Sequence, residues 1–483
     1  MSLKVYNTLT RREEEFKPLH EGHVGMYVCG PTVYGDAHVG HAKSYVSFDV
    51  IVRYLRFLGY KVLYVQNITD VGHLLDDGED RVLRKSRLEH THPMQVAERY
   101  TRSYFEDMDA LGVLRPDISP RATGHIIEQI EMARRLLEKG LAYEVNGSVY
   151  FDVRKFVGYG KLSGRSLDDL VEGTRVGVRS EKRDPADFAL WKKAGPEHIM
   201  RWPSPWGEGF PGWHLECSAM SMKYLGDSFD IHGGGLDNQF PHHECEIAQS
   251  EGMTGRPFVK YWIHNNLVTV SSQKMSKSLN NFVTLKDAFA RFDPLVVRFF
   301  ILQSHYRSTL DFSDQALEGA KAGYEKLINT SQNLDRALAT RRTQGASPGP
   351  GIEVKAYRTK FGEAMDADFN TPQAIAALFD FARDLNPLLL ADTPPDASSL
   401  EAARAFLDDA AGKVLGILPA KGSPAATTAG LEPQLIELLI SLRAEARKQK
   451  QWKLADMVRD KLDGLGIILE DKKDGTIWKK KSG

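Results

Sequence analysis

Val24-Gly25-Met26-Tyr27-Val28-Cys29-Gly30-Pro31, with the His38-Val39-Gly40-His41 that follows it, decides how this chain folds. The run from Val24 to Cys29 is short, apolar and rich in β-branched and aromatic residues; Gly30-Pro31 ends it, so it reads as a strand. From His41 to Leu58 the apolar residues Tyr45, Phe48, Ile51, Val52, Leu55 and Leu58 recur at helical spacing. Gly59 stops that helix, and Val62-Leu63-Tyr64-Val65 supplies a second strand. Strand, helix, strand in this order predicts a parallel sheet with right-handed crossovers. Such sheets bind ligands at the carboxyl ends of their strands, where Cys29-Gly30 and Asn67-Ile68-Thr69-Asp70 fall.

Outward from this unit, the sequence from about Met94 to Lys139 is helical and charged. A stretch rich in glycine and turn residues, with Tyr150-Phe151-Asp152-Val153 as a strand, continues to about Pro205 and reads as an insertion between two halves of one sheet domain. The second half resumes near Phe210-Pro211-Gly212-Trp213, and beyond about Lys286 nearly everything has a helical pattern. Gly345–Gly351 (GASPGPG) reads as a surface loop and Lys421–Gly430 (KGSPAATTAG) as a linker.

At 483 residues the chain is long enough for roughly three domains. Hydrophobic residues at 42% and charged residues at 26% supply a core and argue against whole-chain disorder. No apolar run approaches the roughly 18 residues a membrane span needs, and Arg11-Arg12-Glu13-Glu14-Glu15 follows the start without a signal-like apolar core. Three scattered cysteines, Cys29, Cys217 and Cys245, exclude a disulfide framework; a reducing cytoplasm is expected. The net charge of −1 excludes a protein that coats nucleic acid through overall basicity, but not a local basic patch.

His38 and His41 are three residues apart at a helix start, where the partial positive charge and free backbone N–H groups suit a polyphosphate. Gly40 would let such a ligand approach the backbone. On its own the pattern reads first as an ordinary helix start. Lys274-Met275-Ser276-Lys277-Ser278 follows the strand Leu267–Val270 and offers Lys274 and Lys277 as a cationic clamp for a pyrophosphate leaving group; alone it is a solvated loop. Pro241-His242-His243-Glu244-Cys245-Glu246 reads as a helix start that puts His242 and Glu246 on one side, at i,i+4. With thiolates from Cys29 and Cys217 these residues suit zinc, although buried free cysteines are common without a metal. No G-x-G-x-x-G or G-x-x-x-x-G-K-[ST] motif occurs, which weighs against dinucleotide and P-loop readings. From Ser441 to Lys461 the basic residues Arg443, Arg447, Lys448, Lys450, Lys453, Arg459 and Lys461 outnumber Glu445, Asp456 and Asp460, around Trp452. Cations hold phosphates and an exposed aromatic can stack on an unpaired base; the plainer reading is a solvated helix whose Trp belongs to the core.

His38–His41 resembles the HIGH signature and Lys274–Ser278 the KMSKS signature of class I aminoacyl-tRNA synthetases. Tyr27–Tyr34 (YVCGPTVY), Pro211–Ser218 (PGWHLECS), Asp230–Gly235 (DIHGGG) and Met365–Pro372 (MDADFNTP) resemble the cysteinyl-tRNA synthetase family over nearly the full length. The resemblance implies an α/β protein. Its Rossmann-like parallel-sheet catalytic domain would be split by an insertion and followed by an α-helical bundle and a small C-terminal module. The expected divisions are 1–120 and 206–285 for the two catalytic halves, 121–205 for the insertion, 286–345 for a helical tRNA-stem region, 352–420 for the bundle and 431–483 for an anticodon-binding module.

The resemblance further implies a ligase that activates cysteine with ATP and transfers it to the 3′-terminal ribose of tRNA(Cys). His38, His41, Lys274 and Lys277 would be catalytic, and His38, Gly40, His41 and Lys277 would bind ATP. Gly30, Thr69, Trp213, His232 and Asp237 would surround the amino acid. One Zn2+ would be held by Cys29, Cys217, His242 and Glu246, and Mg2+ is expected to accompany ATP. Zinc at that place would select a thiol over a hydroxyl, which an apolar pocket does poorly. His243 is expected to face elsewhere, and Cys245, about 100° round the helix from Glu246, to stand aside; the family usually has Asn there. Gly233-Gly234-Gly235 is expected to give backbone freedom beside a ligand. His73 follows Asn67-Ile68-Thr69-Asp70 where many members carry acidic residues and Lys, which leaves its role open. A cytoplasmic monomer with no membrane partner is expected. The competing readings are a ligase joining activated cysteine to an amino sugar (the mycothiol pathway) and a catalytically silent RNA- or zinc-binding protein.

Overall fold

The computed structural model describes residues 2–74, 79–166, 181–196, 198–270, 273–274, 282–341, 349–391, 395–419, 431–472 and 475–480. The strand–helix–strand unit is β1 (His23–Val28), α1 (Val39–Phe57) and β2 (Lys61–Gln66), with β1 and β2 parallel and Tyr27 opposite Val65. Two later strands, β3 (Phe229–Gly235) and β4 (Val259–Asn265), complete a four-stranded sheet of order β4-β3-β1-β2, parallel throughout. The chain thus builds the sheet outward in two directions from its middle. The reversal falls between β1 and β3, and the crevice beyond their carboxyl ends is where a doubly wound sheet takes its ligand.

α1 is buried on nearly every side, since its apolar residues pack the sheet while polar ones tie it to other elements. Lys43 donates from Nζ to the carbonyls of Leu267 and Ser308. Asp49 accepts from Arg53 Nε at 2.7 Å and from Arg298, itself fully buried, whose other nitrogens reach the carbonyls of Leu111 and Leu415.

Between the halves, Ala142–Val145, Ser148–Phe151, Phe188–Lys193 and Gly209–Pro211 form a separate antiparallel sheet around Phe151, Leu190 and Trp191. The strand expected at 150–153 ends at Phe151, because Val153–Lys155 turns into a 3₁₀ helix. The second half contributes α3 (Trp213–Leu225) and α4 (Glu244–Thr254). After the sheet come α5 (Pro294–Leu302) and the helices Asp314–Arg341, Val354–Asp366, Thr371–Leu389 and Ala397–Leu407, packed around Phe361, Leu378, Phe381 and Phe406. Among the described residues, no helix is long and apolar enough to cross a membrane.

The chain divides into two compact units, Met1–Leu418 and Pro419–Gly483. In the second, helices Leu431–Lys448 and Trp452–Gly464 enclose Ile436, Ile440, Leu462, Ile467 and Leu469 with the hairpin Ile467–Lys472/Gly475–Lys480. The helical pattern read over 441–461 is therefore broken in two, with Lys450 at φ 57° in the break.

Candidate active site at the sheet's carboxyl edge

A cleft of about 590 Å³ opens beyond the ends of β1 and β3. At one end stands the head of α1. His38 caps the helix: its Nδ1 accepts from the N–H groups of Gly40 (3.1 Å) and His41 (3.3 Å), while His41 Nδ1 accepts from the His38 N–H at 3.3 Å. The two rings stack with centroids 3.7 Å apart. A neutral imidazole that accepts at Nδ1 carries its proton at Nε2, so each ring presents an N–H donor beside the helix's positive end. His38, Gly40 and His41 all line the cleft.

Beside the same cleft a second group of side chains converges. Cys29 follows β1, Cys217 lies in α3, His242 precedes α4, and Glu246 lies in its first turn. Among the described residues two sets of donor atoms lie within 4.8 Å of one another: Cys29, Cys217, His242, Glu246, and Cys29, His232, His243, Glu246. In the first set the sulfurs are 4.0 Å apart, Cys29 Sγ lies 3.8 Å from Glu246 Oε1, and His242 Nε2 lies 3.2 Å from the same oxygen. Tetrahedral zinc with bonds of about 2.0–2.3 Å has ligand–ligand edges of roughly 3.3–3.8 Å, so this set fits the ion. His242 Nε2 is moreover buried without a hydrogen-bond partner, while its Nδ1 meets His214 Nδ1 at 2.8 Å; a contact of this kind on the far ring nitrogen fixes the orientation of a liganding imidazole.

Burial dominates the electrostatics. It pushes the Cys29 thiol well up, with Cys217 adding to the rise, and pushes Cys217 up to about 11. It holds His242 and His243 well below the usual imidazole range and His73, His214 and His264 down to about 3. The imidazoles are therefore neutral, the form that binds a metal, and the thiols need a cation to ionise.

Trp213 forms the wall between the cluster and the cleft. It is stacked on one side by His242 (4.2 Å, 23°) and on the other by His73 (4.0 Å, 8°), whose Nδ1 pairs with Thr32 Oγ1 at 2.6 Å. Gly30, Thr69, Trp213 and Asp237 line the cleft as a group. Gly30 is required by close approach: a Cβ there would lie 1.6 Å from the Asn67 carbonyl oxygen. Thr69 donates to the buried Glu216 at 3.1 Å.

Several sequence expectations change here. His232 is fully buried behind Glu246, 2.9 Å from Oε2, and does not line the cleft. His243 does not face away: its Nε2 is 3.2 Å from Cys29 Sγ, because i,i+3 from Glu246 is as much a same-side spacing as i,i+4. Cys245, in contrast, stands aside as expected: it points into the neighbouring apolar cluster, against the Tyr159 hydroxyl at 3.3 Å. Gly233 and Gly234 do not serve backbone freedom. They leave room for neighbours, a Cβ at Gly233 falling 2.4 Å from Phe48 and one at Gly234 falling 2.8 Å from the His243 ring. Lys274 lies in a two-residue strand, Gln273–Lys274, paired antiparallel with Thr269–Val270, where a loop was expected; Lys277 lies outside the described residues. Arg443 is buried against Asp471 and leaves the exposed basic set. His214, His264 and Glu216 escaped the sequence reading altogether; only the polar character of PGWHLECS and of a histidine in strand β4 hinted at them.

The two-directional parallel sheet and the H-x-x-H helix head in its crevice agree with the class I aminoacyl-tRNA synthetases that the sequence motifs resemble, and the comparisons with known proteins place the chain in that class. Methionyl-tRNA synthetase of Mycobacterium tuberculosis bound by methionyl-adenylate shares the fold, with a TM-score of 0.59 at 16% identity over 84% of this chain and 95% of that one. Residues 15–322 match the class I (C) tRNA synthetase catalytic domain, and residues 360–419 the DALR domain. Cysteine–tRNA ligases of Chlorobium luteolum and Chlorobaculum tepidum are 57% and 56% identical to it, each alignment covering 99% of both chains. The chain belongs to the cysteine–tRNA ligase family.

Proposed function

We propose that the protein activates cysteine with ATP and transfers it to the 3′-terminal ribose of tRNA(Cys), with zinc at Cys29, Cys217, His242 and Glu246 selecting the substrate thiol. The observation that carries this is one cleft lined both by the H-x-x-H helix head and by Cys29, Cys217 and His242 of the donor cluster. Cys29, Cys217 and His242 line the cleft, whereas His232 and His243 do not, which favours the first donor set. When bound, zinc would supply an acceptor that holds a thiolate far better than a hydroxyl.

The residues then divide the work. Asp237 offers a carboxylate to the amino acid's ammonium, and Trp213 closes the pocket side. His38 and His41, at the positive end of α1, donate hydrogen bonds from Nε2 to the α-phosphate as the cysteine carboxylate attacks it and pyrophosphate leaves. Lys274 and Lys277 would neutralise the leaving pyrophosphate, Mg2+ accompanying the nucleotide. For tRNA, the second unit presents Arg447, Lys448, Lys450, Lys453, Arg459 and Lys461 on its surface, and Trp452 is 58% exposed, as a base-stacking residue requires. A cytoplasmic monomer is the accompanying proposal. Cysteine-dependent exchange of pyrophosphate into ATP by zinc-replete protein is the test; absence of exchange overturns the reading.

A further inference from the structure

The cleft must receive two anionic partners, a triphosphate and an amino-acid carboxylate. Among its described lining residues, Arg81 is the one with a permanent positive charge. Arg81 opens α2 (Arg81–Glu89), whose N-cap, Asp80, accepts from the N–H groups of Gly72, Val82 and Leu83 and so fixes where the helix begins. The Arg81 N–H in turn donates to the His73 carbonyl at 3.1 Å. Its guanidinium lies 5.3 Å over the Tyr34 ring and donates from Nη1 to the Tyr34 hydroxyl at 3.1 Å. Its Nε is buried with no acceptor, and among the described residues the group has no ion-pair partner. A carboxylate is close at hand just before the helix, since Arg84 and Arg87 both reach Glu79. Arg81 instead stands in the cleft, tethered to one neutral hydroxyl. A guanidinium held this way is prepared for a planar anion.

Position selects the anion. Phosphate belongs at the head of α1, with His38 and His41. Arg81 is bonded through its backbone to His73, which stacks on Trp213, which stacks on His242. That chain of contacts leads to the amino-acid end.

We propose that Arg81 is a specificity-determining residue that takes the α-carboxylate of the substrate amino acid while the donor cluster takes its thiol. This rests on the cysteine-activation reading. The test compares binding of cysteine and of cysteamine, which keeps thiol and amine but lacks the carboxylate, to the zinc-replete full chain. Wild type should favour cysteine by roughly 10–100-fold, the range of a charge-assisted hydrogen bond. Arg81→Gln should erase that preference by weakening cysteine alone, and Arg81→Lys should keep part of it. An R81Q protein that still prefers cysteine, or that loses both ligands in equal measure, overturns the proposal. Failure of wild type to exchange pyrophosphate with cysteine would instead overturn the activity on which it rests.

Discussion

Glu246 is the residue on which the donor cluster turns. One of its oxygens faces His242 and Cys29, and the other is held by His232, so the carboxylate is oriented before any ion arrives. Cys217 and Cys245 then separate cleanly. Cys217→Ser should lower zinc affinity by at least one to two orders of magnitude, whereas Cys245→Ser, altering a thiol that faces Tyr159, should leave one zinc per chain; metal content after dialysis distinguishes them. The buried imidazoles also carry a pH signature. His264 sits at about 3 in the folded chain, while an unfolded histidine titrates near 6.5. Between those values only the unfolded state takes up the proton, so acid favours unfolding there. Relative to His264→Asn, wild type should lose up to ~1.4 kcal/mol of stability per pH unit as pH falls from about 6 to 5, read from denaturant titrations.

At the scale of elements, α1 is the member every other part refers to. Its head meets the cleft, its flank packs the sheet, and Asp49 in its middle is paired with Arg298 of α5, both side chains fully shielded from water. Removing one member of such a pair strands a charge, so Asp49→Ala should destabilise the chain by about 3–5 kcal/mol in denaturant titrations. The strands and helix of the first βαβ unit were legible in the sequence because their apolar periods are unambiguous. The His242–Glu246 pairing was legible because Pro241 marks a helix start and residues at i,i+4 share a side. His243 was misread because its place next to His242 suggests that it turns away, whereas a residue three before Glu246 and one four before it flank the same side. His73 and His264 were unreadable in principle: their partners, Trp213 and His243, come from distant segments that only the folded sheet brings together. The break at Lys450 was hidden because a residue at positive φ need not be glycine, and Gln449-Lys450-Gln451 interrupts no apolar period.

At the scale of the molecule, the division at Leu418/Pro419 separates the cleft-bearing unit from the one that carries the exposed lysines and Trp452. A chain ending at Leu418 should keep cysteine-dependent pyrophosphate exchange at the full-length level. Charging of tRNA at limiting concentration should fall by on the order of 10-fold or more, the loss shrinking as salt rises and screens the phosphate contacts of the intact chain. Exchange assays and aminoacylation run in parallel measure the two separately.

The donors of the cluster are spread along the chain, 188 residues separating Cys29 from Cys217. On a ribosome adding about 5–20 residues per second, roughly 10–40 s pass between synthesis of the first thiol and of the second. For most of that interval β1 and β2 exist without β3, so the nascent chain carries a strand edge awaiting its neighbour and a cysteine awaiting its companions. Capture of the metal is therefore deferred until the second half of the sheet closes, and oxidation of Cys29 in the meantime would be an error built in at birth.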